Sequence, residues 1–166
     1  MSLIETNGRK PMRTITLLLL CAGAVLAACG GSQSDHGAAE PAETSDADYS
    51  DGEWISDDFD RASQLAEQTG RPLLIDLYAD WCGPCRILGE EYFPSEELQP
   101  ILSNFVLLRV NVDVEPGQSM ARDYGANAIP TVVIAESDGT EIDRIVGITQ
   151  TPGEYADKLE DILSAL

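Results

Sequence analysis

From residue 53 onward, the apolar residues follow two alternating patterns along the chain. Some stretches place them three or four apart, as in Phe59, Ala62, Leu65 and Ala66, a spacing typical of a helix with one buried face. Others are short and almost entirely apolar, as expected of a strand that is covered on both faces. In chain order, the patterns predict a helix that Asp57 or Asp58 caps, a strand over residues 73–79, a helix that begins after Cys82, a strand over residues 105–112, a short helix over residues 117–124, strands over residues 131–135 and 142–146, and a last helix with Tyr155, Leu159, Ile162 and Leu166 on one face.

Turn and capping residues separate these elements. The Gly-Arg-Pro sequence at residues 70–72 ends the first helix, and Ser-Asp-Gly at residues 137–139 predicts the turn of a hairpin. Pro94 is expected to interrupt the helix that follows Cys82, with Ser95 capping its continuation. This order of elements predicts an α/β domain with a mixed central sheet and helices on both faces.

The first 28 residues have the layout of a secretory signal. Arg9, Lys10 and Arg13 precede an uncharged stretch over residues 14–28, which is too short to span a bilayer comfortably. The sequence Leu-Ala-Ala-Cys at residues 26–29 resembles a bacterial lipoprotein signal. That resemblance implies cleavage before Cys29, with lipid on its thiol and on the new amino terminus. An ordinary signal peptide with a chance cysteine is the alternative, and Met12 is an alternative start.

Residues 29–52 are predicted to form an acidic, solvated tether to a domain over residues 53–166. From residue 30 to 52 there are six acidic residues and no Lys or Arg, and the rest is mostly Gly, Ala, Ser, Thr and Pro. Such a segment has too little apolar surface to offset its ordering entropy. Its His36, the only histidine of the sequence, is expected to be exposed to solvent rather than to bind a metal.

The charge balance excludes one class of partner. The 166 residues include 10 Lys or Arg and 29 Asp or Glu, which gives a formal net charge of −19. Binding to nucleic acid requires clustered cations that neutralise phosphates. No nucleic-acid partner is therefore expected.

The candidate chemistry is concentrated in Trp81-Cys82-Gly83-Pro84-Cys85, where a buried strand turns into a helix. Two cysteines at this spacing can close a small disulfide ring, and the helix N-terminus stabilises a thiolate on the first of them through its free amides and dipole. Cys82 is therefore predicted to be the nucleophile, and Cys85 the residue that resolves the mixed disulfide. Pro84 suits the first helical turn, where its missing N–H is not needed.

Two other interpretations of the cysteine pair fit the sequence less well. A zinc site needs further ligands, but the remaining cysteines, Cys21 and Cys29, lie in the predicted signal and at the predicted lipid site. No metal is therefore expected. A purely structural disulfide contributes little, because so small a ring barely constrains the unfolded chain.

Residues 76–85, Asp-Leu-Tyr-Ala-Asp-Trp-Cys-Gly-Pro-Cys, resemble the active-site segment of the thioredoxin family. The first seven are especially similar to the C-terminal thioredoxin-like domain of the transmembrane disulfide reductase DsbD. The likeness extends over residues 53–166. It implies the thioredoxin fold and a redox disulfide between Cys82 and Cys85.

The same resemblance implies a surface that contacts the substrate. Ala-Ile-Pro-Thr at residues 128–131 resembles the loop whose cis-proline lies against the active-site disulfide, and Gly147 resembles a glycine that lines the substrate groove. Arg109 stands where thioredoxins usually have a lysine, which leaves the role of this cation open. The residues implied to contact substrate are Trp81, Gly83, Pro84, Ile129, Pro130 and Gly147.

Asp76 is a lone carboxylate inside the apolar run of residues 73–79. Burial raises the pKa of a carboxyl group and costs stability, so the fold gains nothing from this placement. Burial is useful, however, for a carboxyl group that must accept and return the proton of a buried thiol. Asp76 is therefore predicted to be the general acid/base for Cys85. The alternative is a less buried strand in which Asp76 is solvated.

Together these features predict a membrane-tethered thiol–disulfide oxidoreductase outside the cytoplasm that reduces protein disulfides without a cofactor. The direction rests on the Gly83-Pro84 pair, which resembles thioredoxin, whose potential of about −270 mV lies below the value of about −120 mV for DsbA. An oxidant or isomerase, or a non-catalytic binding module that uses the groove around Pro130, are the alternatives.

A reductase in an oxidising compartment needs electrons from a membrane thiol carrier of the DsbD or CcdA type, because this chain has no predicted spanning segments of its own. We expect a lipid-anchored monomer in the cell envelope that faces the periplasm. Gly30 after Cys29 favours the outer membrane by analogy.

Overall fold

The computed structural model describes residues 52–166. The predicted signal, nearly all of the predicted tether and the predicted lipid site at Cys29 lie outside the described residues. Within the described part, no helix combines the length and the apolar character needed to cross a membrane.

Five strands form one mixed sheet with the strand order β1-β3-β2-β4-β5. The first three of these run parallel, whereas β4 is antiparallel to both β2 and β5. This arrangement confirms the predicted α/β class. The strands are β1 (Trp54–Ser56), β2 (Leu73–Tyr78), β3 (Val106–Asn111), β4 (Thr131–Ala135) and β5 (Glu141–Val146); the helices are α1 (Phe59–Thr69), α2 (Gly83–Ile87), α3 (Gln99–Leu102), α4 (Gly117–Asp123) and α5 (Pro152–Ser164), and a π-helical turn (Leu88–Tyr92) continues α2.

Helices cover both faces of the sheet, so two apolar cores form. Alternate residues of β2 point into different cores: Leu74 belongs to the core beneath the π-helical turn, α3 and α5, and Ile75 to the core beneath α1 and α4. All residues of β2 except Tyr78 are buried. The nearly continuous apolar run that predicted this strand reflects its central position in the sheet.

The capping residues of α1 lie where the sequence indicated. Asp58 is the N-cap, and its side chain accepts a hydrogen bond of 3.0 Å from the backbone N–H of Arg61. Gly70 ends the helix in the left-handed conformation, with φ of 67°, which glycine adopts without steric penalty. Ala62 and Ala66 form the buried face.

The region after α2 differs from the prediction. The helix widens into a π-helical turn, closed by a bond of 2.9 Å from the N–H of Phe93 to the carbonyl of Leu88. The continuation begins at Gln99 instead of directly after Ser95. Ser95 still accepts from the N–H of Leu98 through its hydroxyl at 3.3 Å, but this bond closes a turn before the helix rather than its first turn.

Three smaller features complete the comparison with the predicted elements. β1 was not predicted, because three residues are too few to show a period. The predicted hairpin forms, and Gly139 in its turn has φ of 86°. The expectation that Leu166 lies on the buried face of α5 is wrong: the helix ends at Ser164, and Leu166 is 57% exposed.

Candidate active site

The two cysteines lie at the junction between β2 and α2. Cys82 is the N-cap of α2, and its Sγ accepts a hydrogen bond of 3.2 Å from the backbone N–H of Cys85. Cys82 and Cys85 are joined as a disulfide. The amide that now contacts the Cys82 sulfur is placed to stabilise a thiolate on the same atom after reduction.

The residues around the disulfide differ in their exposure. Cys82 retains slight exposure, whereas Cys85 is fully buried. Gly83 and Pro84 are exposed, with Pro84 in the first turn of α2 as expected. Trp81 is 72% exposed, and its indole N–H donates to Asp113 at 2.8 Å, which fixes a large apolar surface beside the cysteines.

The chain brings the loop before β4 to the same place. Ile129 packs against the cluster that contains both cysteines. The Ile129–Pro130 peptide bond is cis. The backbone N–H of Gly147 donates to the carbonyl of Pro130 at 2.8 Å, so the residue after β5 is held beside this loop. Ile129 therefore lies beside the cysteines and Gly147 beside Pro130, although these residues are distant from the cysteines in sequence.

Asp76 is fully buried, so the alternative of a solvated side chain does not describe this residue. It lies on β2 between Arg109 of β3 and Val132 of β4. Burial raises the pKa of its carboxyl group from 3.8 to about 7, against the opposing influence of the Arg109 charge. Asp76 therefore titrates close to neutral pH.

Arg109, whose role the sequence left open, is the charge partner of Asp76. Its Nε lies 3.1 Å from Oδ2 of Asp76, although the N–H is not aligned for a hydrogen bond. The guanidinium group lies over the ring of Tyr78, with Cζ 4.0 Å from the ring centroid. The available signal was the single cation in the apolar run of β3, but its pairing with Asp76 depends on the register of the two strands.

The Arg109 guanidinium also locates the Asp76 pair beneath the helix that bears Cys85. A Cβ atom on Gly89 would lie only 2.8 Å from a terminal nitrogen of Arg109, so this group packs closely against the π-helical turn at Gly89. Gly89 follows Cys85 by one turn of the same helical segment. The Arg109 guanidinium, which pairs with Asp76, therefore packs against the helical segment that also carries Cys85.

Solvent reaches the Arg109 side of the Asp76–Arg109 pair. The Arg109 side chain is 30% exposed and borders a surface pocket of about 220 Å³ that Tyr78, Asp80, Arg86 and Glu90 also line. Asp80 is exposed at the end of β2. Arg109 therefore contacts the buried Asp76 carboxylate and also borders this pocket.

Among residues 52–166, no group of three or more His, Cys, Asp and Glu side chains is arranged to hold a metal ion. Both thiols of this part of the chain are used in the disulfide. The arrangement supports two-electron chemistry at sulfur.

The sequence model described as thioredoxin-like matches residues 53–137. The chain belongs to the thioredoxin-like family. It is 40% identical over 76 residues to the thioredoxin of Chlamydia caviae, a match that covers 46% of this chain and 69% of that protein. The fold is therefore that of the thiol–disulfide oxidoreductases of this family, and a cysteine pair lies at the start of α2.

Likeness to DsbD is present in both sequence and structure. The chain is 34% identical over 100 residues to the thiol:disulfide interchange protein DsbD of Cronobacter sakazakii, a match that covers 58% of this chain but only 17% of that protein. The crystal structure of the oxidised C-terminal domain of DsbD from Neisseria meningitidis superposes with a TM-score of 0.54 at 19% identity, covering 61% of this chain and 90% of that domain. This second likeness concerns the fold.

Proposed function

We propose that the protein reduces protein disulfides by dithiol–disulfide exchange through Cys82 and Cys85, while lipid on Cys29 tethers it outside the cytoplasm. The observation that carries the redox activity is the disulfide at the start of α2, where the Cys85 amide contacts the Cys82 sulfur. The adjoining Pro130 loop and exposed Trp81 supply a surface on which an extended substrate segment can lie.

The exchange proceeds in two sulfur displacements. The Cys82 thiolate attacks one sulfur of the substrate disulfide; an S–S bond forms, the substrate S–S bond breaks, and the departing sulfur leaves as a thiolate that takes up a proton. The Cys85 thiol then loses its proton and attacks the Cys82 sulfur. This displaces the second substrate sulfur, and the protein retains the Cys82–Cys85 disulfide. The substrate gains two electrons and two protons.

Asp76 serves as the base for the second displacement in this proposal. A carboxyl group with a pKa of about 7 is substantially ionised at neutral pH and can also return a proton under the same conditions. Its partner Arg109 packs at Gly89, on the helical segment that also bears Cys85, and this supports that role. Arg109 keeps the ionised form accessible, since its charge opposes the effect of burial.

The tethered form needs an electron source for the next cycle. We assign this step to a membrane dithiol carrier of the DsbD or CcdA type, which would reduce the Cys82–Cys85 disulfide by the same exchange in reverse. The likeness to the DsbD C-terminal domain supports a donor of this kind. The reductive direction is supported by the Gly83-Pro84 pair between the cysteines.

The potential of the Cys82–Cys85 pair tests the direction of the proposed reaction. The full chain, equilibrated in dithiothreitol and glutathione buffers and quenched by alkylation, should give a value near that of thioredoxin, about −270 mV. A value near that of DsbA, about −120 mV, would identify an oxidant instead. A pair that never exchanges with the buffer would leave only the binding-module alternative.

The tether requires a separate test. The mature wild-type protein should sediment with membranes and have a mass that includes acyl chains on Cys29, whereas Cys29→Ser should remain unprocessed or become soluble. If Gly30 directs the lipidated protein to the outer membrane, fractionation should recover the wild type there. Wholly soluble wild-type protein with unmodified Cys29 would refute the anchoring without affecting the redox chemistry.

A further inference from the structure

The end of the sheet that bears the disulfide exposes large apolar side chains. Trp81 and Val114 are 72% and 51% exposed, and Val146, directly before the Gly147 that bonds to Pro130, is 58% exposed. In the described part of the chain, no other large apolar side chain before residue 166 is as exposed as these three. The apolar surface of this domain is therefore concentrated near its cysteines.

Contacts within the fold hold the loop of Val114 beside the disulfide. The Trp81 indole N–H donates to the carboxylate of Asp113, the neighbour of Val114, at 2.8 Å. Val112, which begins the same loop, packs against the cluster that contains both cysteines. Exposed apolar side chains that lie together are typical of a surface that binds a partner.

The loops at this end of the sheet carry acidic residues and no basic ones. They follow β2, β3 and β5 or precede β4, and they are residues 79–82, 112–116, 126–130 and 147–151. No Lys or Arg occurs in these four segments. Their acidic residues are Asp80, Asp113 and Glu115, and all three are exposed.

The charges of Asp113 and Glu115 are only partly offset. The Asp113 carboxylate is bonded by the neutral indole of Trp81, which leaves its charge in place. Glu115 lies 3.4 Å from Arg122, but both side chains are more than half exposed, so solvent screens this pair. The loop beside Trp81 therefore presents negative charge to an approaching substrate.

Asp80, directly before Trp81 in the chain, adds a third negative charge. It lines the surface pocket of about 220 Å³ together with Arg86, Glu90 and Arg109. The charges of Arg86 and Glu90 are opposite, and Arg109 is already paired with a buried carboxylate. These neighbours therefore do not reverse the negative charge at the end of β2.

We propose that the substrates of this protein carry Lys or Arg beside the disulfide that is reduced. An apolar residue of the substrate packs on Trp81, while its cations face Asp80, Asp113 and Glu115. Opposite charges on two surfaces speed their encounter, whereas a substrate with acidic flanks is repelled. This inference names the substrate class of the Cys82–Cys85 exchange and therefore rests on the proposed function.

Two synthetic peptides test the proposal. Each contains one intramolecular disulfide, and they differ only in the residues that flank its cysteines, which are Lys in one peptide and Glu in the other. The reduced full chain should react with the Lys peptide about tenfold faster or more at low ionic strength. The ratio of the two rates should fall toward one in about 1 M salt, where screening limits charge interactions to about 3 Å.

The outcomes separate this inference from the proposed function. Equal rates at low ionic strength, or a faster Glu peptide, would overturn the substrate class while leaving the exchange reaction intact. Reduction of neither peptide would refute the exchange reaction, and the inference with it.

Charge variants distinguish this surface from the intrinsic reactivity of the peptides. The double variant Asp80→Asn, Glu115→Gln should lower the rate ratio about threefold or more, because it removes two charges near Trp81. Asp113 is left intact because it also holds Trp81.

The matched control is Glu160→Gln, Asp161→Asn, which removes two exposed charges in the second half of α5 and should leave the rate ratio unchanged. Equal rate ratios in the wild type and both double variants would overturn the proposal. Equal losses in both double variants would mean that only the net charge of the protein attracts the Lys peptide, and would overturn the assignment to this surface.

Discussion

The two faces of the central sheet differ in the kind of side chain that β2 buries on each of them. Beneath α1 and α4, the buried side chains of β2 are all apolar, namely Leu73, Ile75 and Leu77. On the opposite face, the intervening position Asp76 brings a carboxyl group into the core, with Arg109 beside it. The β2 side chains of the first face therefore serve stability. The other gives up part of that stability to hold a group that can exchange a proton at neutral pH.

The largest expected effect is on the apolar face. Ile75→Ala should lower the free energy of unfolding by about 2–5 kcal/mol, because it removes buried carbon atoms and leaves a cavity among apolar side chains. Denaturant unfolding measures the loss, and the Asp76 pKa should not change. Ile142→Ala, at a partly exposed position, is the control and should cost well under half as much. Equal losses would mean that this core is not tightly packed.

The next prediction concerns Asp76 on the polar face, where a substitution should raise the free energy of unfolding instead of lowering it. Because the pKa of Asp76 is about 7 in the folded protein and 3.8 without the fold, the folded state binds the additional proton, and wild-type stability should fall as the pH rises from 4 to 7. Asp76→Asn removes that loss. Above pH 7 the variant should be more stable than the wild type by about 1–3 kcal/mol, the gain being limited by the unpaired Arg109.

Two measurements check the substitution of Asp76. Unfolding curves at several pH values should show that the stability difference shrinks toward pH 4, where the wild-type carboxyl group is protonated. Turnover at pH 7 should fall about tenfold or more, as expected when a general base is lost. A variant that is no more stable at pH 8 and equally fast would make Asp76 an ordinary strand residue.

The sequence predicted the apolar face of the sheet more completely than the polar face. The apolar run of β2 was enough to place a buried strand, and one carboxylate inside it was enough to mark Asp76. Its partner Arg109 was not visible, because Arg109 reaches Asp76 through the register of two strands that are distant in sequence.

Other features of the fold were predictable where they depend on neighbouring residues, and not where they involve contacts between distant parts of the chain. The cap at Asp58 and the turn at Gly139 depend on a few adjacent residues and were predictable. The π-helical turn was not predicted, and the Arg109 guanidinium that packs against it at Gly89 comes from a distant strand.

The smallest expected effect concerns the contact between Gly89 and the Arg109 guanidinium. Gly89→Ala should displace the Arg109 guanidinium, since the new Cβ would lie 2.8 Å from its nitrogen, and should raise the Asp76 pKa by a few tenths of a unit. The free energy of unfolding should change by less than about 1 kcal/mol, because alanine favours the helix while the flexible arginine gives way. Gly153→Ala in α5, where a Cβ has room, should leave the pKa unchanged. Equal pKa values in both variants would show that Gly89 does not control the pair.

The central claim is that Cys82 attacks and Cys85 resolves. The most direct measurement uses the reduced full chain, mixed with a protein disulfide, quenched by alkylation and analysed by mass under non-reducing conditions. Cys85→Ser should accumulate substrate adducts through Cys82, whereas Cys82→Ser should form none and have no turnover. Adducts only in the Cys82→Ser variant would reverse the roles of the two cysteines. Full turnover in both variants would contradict the exchange mechanism altogether.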